Sequence, residues 1–141
     1  MRLLDAADRP SGALRDRLID KGYDDETVAA VVDRLIEVGL VDDESYAQSA
    51  VRYCVGRLMG YRGAVMELAR KGVDRPLAER VCDEARMIGV FEDAAWELGR
   101  RSAAKTQGMD PKVRKRRFWS SGGRKGHDAE TLRAVAHELF D

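Results

Sequence analysis

The chain has 141 residues, enough for one domain or several very small units sharing a core. No apolar run approaches the roughly 20 residues of a membrane-spanning helix, and the start lacks the apolar segment of a signal peptide, so a soluble, cytoplasmic protein is expected. Its 25 basic and 25 acidic side chains cancel overall but are sorted: residues 1–50 carry 6 basic and 12 acidic, 51–99 carry 8 of each, and 100–126 carry 10 basic against Asp110 alone. A block that basic is where a polyanion or an acidic protein surface would bind.

In chain order, Arg2 to Ala7 is predicted as a short helix ending before Pro10. Ser11 caps the next, with Leu14 and Leu18 facing inward and Gly22 closing it. A third helix runs from about Asp25 to Val38 and stops at Gly39. Asp42-Asp43-Glu44 opens a fourth, whose stripe of Tyr46, Ala47, Ala50, Val51, Cys54, Val55 and Leu58 spans four turns. Acids at a helix start are caps and favourable dipole partners, so the triplet is read that way and no metal site is expected. Gly60-Tyr61-Arg62-Gly63 is predicted as a hinge-like turn, followed by a helix on Val65, Leu68 and Ala69 that ends at Gly72. Pro76 suits the first turn of a sixth helix. Phe91 to about Thr106 makes a seventh, Asp110-Pro111 starts an eighth, and Asp128 to Leu139 forms the ninth. Cys54 and Cys82 fall inside helical stripes, without the paired spacing of zinc or redox motifs, and are expected in the core.

One module recurs. Leu18, Lys21, Gly22, Asp24, Val31 and Asp33 reappear fifty residues on as Leu68, Lys71, Gly72, Asp74, Val81 and Asp83. Lys125, Gly126, Asp128, Glu130, Thr131 and Val135 repeat the frame again. Lys-Gly is a helix end, since a cation suits the negative end of the dipole and glycine takes the left-handed cap. The aspartate that follows accepts from the first N–H groups of the next helix. The predicted fold is therefore all-α, an elongated or curved array of three tandem three-helix repeats over residues 1–39, 40–88 and 89–141.

The Lys-Gly-Tyr helix end, the linker Gly39-Leu40-Val41-Asp42-Asp43-Glu44-Ser45-Tyr46-Ala47, the run Glu67-Leu68-Ala69-Arg70-Lys71-Gly72 and the block Asp110-Pro111-Lys112-Val113-Arg114-Lys115-Arg116-Arg117 together resemble the RecX family, in order and over nearly the full chain. The resemblance implies a monomeric, non-enzymatic regulator that binds the RecA recombinase filament on DNA and inhibits it in DNA repair and the SOS response. It also implies contact through a basic turn, of which this chain keeps only Arg62. A second departure is Gly122, which stands where the frame has Leu18 and Leu68. A leucine lost from a core forfeits ~2–5 kcal/mol if nothing else fills the site. The third repeat is therefore expected to be the least stable, its basic helix ending early near Ser120, with Phe118 and Trp119 as candidate fillers.

Five cations among residues 112–117 are denser than solubility requires. Helical geometry groups Lys112, Lys115, Arg116 and Trp119 on one side, a cationic strip beside an aromatic edge, while Phe118 points to the core. Cations neutralise phosphates and an aromatic stacks on an unpaired base, so the strip suits single-stranded DNA or DNA inside a filament. Arg114, Arg117, Arg124 and Lys125 complete the candidate set. A solvated helix face with Trp119 against the core is the plainer alternative. His127 and His137 lack partners for nucleophilic catalysis, and the glycines at 60, 63, 122, 123 and 126 lack the strand and Lys-Ser/Thr ending of a phosphate loop, so neither catalysis nor a cofactor is expected. Sequence-independent DNA binding without RecA remains the alternative function. Base-specific reading by a helix-turn-helix is disfavoured, because there is no Asn and Gln occurs only at 48 and 107.

Overall fold

The computed structural model describes residues 9–141; the helix expected over Arg2 to Ala7 lies outside the described residues. Eight helices and no strand occur among the described residues. They are α1 (Ser11–Asp20), α2 (Asp25–Glu37), α3 (Asp43–Gly56), α4 (Tyr61–Arg70), α5 (Arg75–Met87), α6 (Val90–Lys105), α7 (Pro111–Arg124) and α8 (Ala129–Phe140). The apolar stripes meet in three clusters. One joins α1 and α2 through Leu14, Leu18, Val32 and Leu35. The largest joins α3, α4 and α5 around Cys54, Leu68 and Cys82. The last joins α6, α7 and α8 around Leu98, Phe118, Leu132 and Val135.

Each Lys-Gly pair ends a helix as its chemistry requires. Lys21, Lys71 and Lys125 are the final residues with helical dihedrals, and Gly22, Gly72 and Gly126 follow at φ +97°, +102° and +84°. The next N–H in each case, from Tyr23, Val73 or His127, reaches back to the carbonyl of Leu18, Leu68 or Gly122, which closes a Schellman turn. Asp24 and Asp128 then cap α2 and α8 by accepting from Thr27 N and Thr131 N at 2.7 Å. Asp74 makes no such bond, and α5 starts with Pro76 in its first turn instead. The start of α1 departs from expectation. Pro10 is its N-cap, and Ser11, the first helical residue, donates N–H and Oγ–H to the Asp43 carboxylate at 2.7 and 2.6 Å. The acidic triplet is thereby divided: Asp42 caps α3, Asp43 holds α1, and Glu44 pairs with Arg80.

α7 does not end near Ser120; it is helical through Arg124. The missing leucine is replaced from across the interface. A Cβ on Gly122 would overlap the Cδ methyls of Leu132, which is 2% exposed and occupies the space that a residue at 122 would fill. In the repeat frame the pairs are Leu18 with Val28, Leu68 with Ala78 and Gly122 with Leu132. Bulk has moved from one helix to its neighbour, leaving the pair about one carbon smaller than that of the second repeat, the kind of exchange that cores tolerate best. Phe118 is fully buried and stacks on Phe140 with ring centroids 5.3 Å apart, while Trp119 stays at the margin.

The stretch expected as a hinge at Gly60-Tyr61-Arg62-Gly63 is instead the N-cap and first turn of α4, and it is a seat for the third repeat. Gly60 N donates to the Lys125 carbonyl at 2.8 Å. A Cβ on Gly63 would overlap that same carbonyl oxygen, and one on Gly126 would overlap Gly63 N. Lys125 Nζ donates to the Arg57 carbonyl at 2.8 Å, a cation on carbonyls at the C-terminal end of α3. His127 Nε2 lies 2.8 Å from the Leu58 carbonyl. A carbonyl can only accept, so Nε2 carries the proton. Leu58 takes the left-handed conformation (φ +62°) that non-glycine residues rarely adopt. The first joint is built alike: Gly72 rests on Ala13, and Gly12 faces the Gly72 carbonyl.

Two outcomes follow from this packing. Gly122→Leu alone is expected to destabilise the fold by ~1–3 kcal/mol through overpacking, Leu132→Ala alone by ~2–5 kcal/mol, and the double variant to recover most of both losses in urea unfolding. Additive losses would show that the two positions do not share one space. Burial pushes the His127 imidazole below its usual range. The unfolded chain therefore takes up this proton first as pH falls, and the stability His127 contributes is full above about pH 6.5 and declines below it. His127→Gln, which can still donate to Leu58, is expected to lose less stability than the parent between about pH 7.5 and about pH 5.5; parallel unfolding midpoints would place the imidazole outside the linkage.

Candidate functional site

The nine cationic and aromatic candidates do not form one strip. α7 begins at Asp110, whose side chain accepts from Lys112 N at 2.8 Å, with Pro111 next. Arg114 turns inward. Its Nε donates to Thr106 Oγ1 at 3.1 Å and Nη2 to the Ala103 carbonyl at 3.0 Å, and its guanidinium carbon sits 5.5 Å from the centroid of the Phe140 ring. It thus ties the C-terminal end of α6, where orphan carbonyls and the dipole favour a cation, to α7 and α8. Lys115 pairs with Asp141, which His137 Nδ1 also meets at 3.1 Å. Lys125 is the strut to α3. Lys112 and Arg116 are exposed and make no ion pair among the described residues.

Arg117 is placed differently. It faces a groove of about 390 Å³ formed by the C-terminal end of α3, α6 and α7, whose charged lining is Arg57, Arg101, Lys105, Arg117 and Lys125. No carboxylate lines it; Leu58 and Leu98 supply apolar floor, and Ser102, Thr106 and Ser121 supply hydroxyls. Past Arg57 and Lys125 the groove continues into a hollow of about 410 Å³ with Tyr53, Glu67 and Arg124. Here Glu67 is already held by Arg70, which keeps its carboxyl below the usual range, so it remains charged and engaged. Arg101 shares Glu97 with Arg100 at 3.0 and 3.1 Å, in exposed pairs that an incoming anion can displace at small cost. Arg124 donates to Ser120 Oγ at 2.6 Å and keeps the rest of its fork free for an acceptor. Arg62 and Trp119 stand apart from this groove, in a cleft between α4, α7 and α8.

Arg57, Arg101 and Lys105 were absent from the residues singled out in the sequence. Arg101 and Lys105 are four apart, one turn of a helix, and belong to the basic block, so their shared face was accessible to periodicity. Arg57 carries no such signal, because its approach to Arg117 depends on how the second repeat meets the third.

The chain as a whole is similar to known proteins. The family model described as RecX, first three-helix domain, matches residues 1–35. A regulatory protein RecX of Thermobifida fusca (strain YX) is 36% identical over 142 residues, an alignment covering 99% of this chain and 76% of the relative. The chain belongs to the RecX family. A regulatory protein RecX of Mycobacterium sp. (strain JLS) is 48% identical over 77 residues, but that match takes in 52% of this chain and 41% of the relative's length. The crystal structure of RecX from Lactobacillus salivarius superposes with a TM-score of 0.79 at 20% identity, covering 93% of this chain and 85% of that one. It shows that the helical repeat fold is shared. The scaffold here is built of helices and turns throughout the described residues, and no helix among them is long and apolar enough to cross a membrane.

The division of labour among the RecX chain's cations is measurable. Arg114→Ala removes two hydrogen bonds from a charged, half-buried donor and is expected to lower stability by about 1.5–3 kcal/mol, whereas Arg117→Ala is expected to stay within about 0.5 kcal/mol of the parent. Equal urea midpoints for the two variants would overturn the assignment.

Proposed function

We propose that this chain is a RecX-type regulator that binds the RecA filament on single-stranded DNA in the cytoplasm and inhibits its ATPase and recombinase activities, without chemistry of its own. The observation that carries the reading is the five-cation groove. It is assembled across two repeats, free of lining carboxylates and backed by membership of the RecX family. Such a groove suits the phosphates of filament-bound DNA or a carboxylate-rich protein surface. Glycine-seated joints hold the repeats in a fixed relation, so the groove has a defined shape to offer a periodic partner. The reading also takes the functional unit to be a monomer of three repeats, dividing at 39/40 and 88/89.

Sequence-independent DNA binding without RecA is the competing reading, favoured by the same cluster of cations. The DNA-dependent ATPase of RecA, with this chain titrated in at substoichiometric amounts beside a matched titration onto bare single-stranded DNA, separates them. Inhibition well before the DNA could be coated is the expected result, and triple reversal of Arg57, Arg101 and Arg117 to Glu is expected to remove it. Inhibition only at DNA saturation, with steep salt dependence, would favour the DNA-binding reading. No effect in either arm would mean that the chain keeps the fold and has lost the binding.

A further inference from the structure

A second concavity, of about 490 Å³, opens between α4, α7 and α8 on another face of α7. Met66, Trp119 and Leu132 supply its apolar walls, Arg62 and Arg124 its charge, and no carboxylate lines it. Met66 is 65% exposed, so its thioether is available to whatever enters. Arg62 is exposed and makes no ion pair or side-chain hydrogen bond among the described residues.

The decisive feature is Gly123. Glycine inside a helix is destabilising relative to alanine, and its retention asks for a reason. Gly122 has one in Leu132; a Cβ on Gly123 would meet nothing within 4 Å. Gly123 lies four residues after Trp119, so any side chain there would stand beside the indole on the same face. With glycine the cleft stays open next to a partly exposed aromatic ring. Arg124 lines both this cleft and the hollow that holds Arg57 and Lys125. A polyanion lying on the groove's cations can therefore reach Trp119 without leaving cationic surface.

We propose that this cleft takes a single unstacked nucleobase, which stacks on Trp119 and contacts Met66, while the flanking phosphates bind Arg62 and Arg124. An aromatic platform between cations recognises single strands without regard to sequence, because every base offers a π-face. A duplex keeps its base faces covered by stacking and offers no free π-face, so the cleft selects single-stranded nucleic acid. The proposal deepens the reading of the adjoining groove as a phosphate-binding surface and rests on it.

The test measures binding of the full chain, by fluorescence anisotropy, to oligo(dT) and to an abasic oligonucleotide of equal length, which keeps the phosphates and lacks the bases. The parent is expected to prefer oligo(dT) by roughly tenfold. Trp119→Ala and Gly123→Leu are each expected to abolish that preference with abasic binding unchanged, and Trp119→Phe to keep most of it. Gly123→Leu also raises helix propensity, so its melting temperature should not fall, which separates a blocked cleft from a damaged fold. Equal parental affinity for the two oligonucleotides, or a preference that survives both Trp119→Ala and Gly123→Leu, would overturn the cleft and leave the groove standing. Binding of neither oligonucleotide would sink both. Loss of RecA-filament binding in Gly123→Leu, with the oligo(dT) preference intact, would overturn the proposal by assigning the cleft to a protein side chain.

Discussion

The structure depends on backbone touching backbone at the repeat joints. At the second joint, Lys125 and His127 together satisfy the carbonyls of Arg57 and Leu58 and the N–H of Gly60, three polar groups that α3 and α4 leave unpaired at their ends. Water could serve those groups, but only if the repeats stood apart. With Gly63 and Gly126 in direct contact there is no space for it, and the turn must supply every partner itself. Each repeat's own core is small, and a three-helix unit of this size is marginal alone. The joint lets the units share burial, as when Leu58, at the end of α3, packs into the third cluster and Phe91, at the start of α6, packs into the second.

The joint also sets the site. Arg57 belongs to the second repeat, Arg101, Lys105 and Arg117 to the third, and the groove exists because Lys125 pins the C-terminal end of α3 beside α7. Bringing five cations around one concavity is electrostatically unfavourable. The fold bears this through contacts that do not involve the groove: Phe118 in the core, Arg114 on the carbonyl of Ala103 and Lys115 on Asp141. Within one basic run, residues three positions apart therefore have unlike duties. Arg114 builds the helix pair, while Arg117 is left to meet an anion.

That division sets the limit of what the sequence made legible. The helices, the Asp24, Asp42 and Asp128 caps and the repeated Lys-Gly turn follow from local chemistry, because such a cap needs its acid or glycine within a few residues of the helix end. The burial of Leu14, Leu68 and Phe118 follows from periodicity. What could not be seen is whatever two distant segments decide together. Gly60 and Gly63 suggested flexibility when in fact they admit another backbone, and both uses of glycine look identical in one dimension. Gly122 suggested a void because the frame was compared along α7 alone, whereas the compensating residue, Leu132, sits on α8. The run of residues 112–117 suggested one strip because a helical wheel shows which residues share a side, not which side faces Thr106, Asp141 or Arg57.

The third repeat's departures from the frame cluster in one place, and their location argues that they belong together. His127 stands for Tyr23, Gly122 for leucine and Gly123 for Ile19, all within the last turn of α7 and the turn that follows. Tyr23 and Ile19 are exposed in the first repeat, at 55% and 45%. In the third repeat the same positions meet the second repeat or border the cleft, so the same frame is used with a different surface. Moving the leucine to α8 restores the core, and placing an imidazole after Gly126 latches Leu58. Removing the side chain at 123 has no counterpart in packing. In the second repeat the same turn ends its helix and seats the first repeat; here it ends the helix, locks two repeats and leaves a gap beside Trp119, and the first two tasks alone would not have required the second glycine.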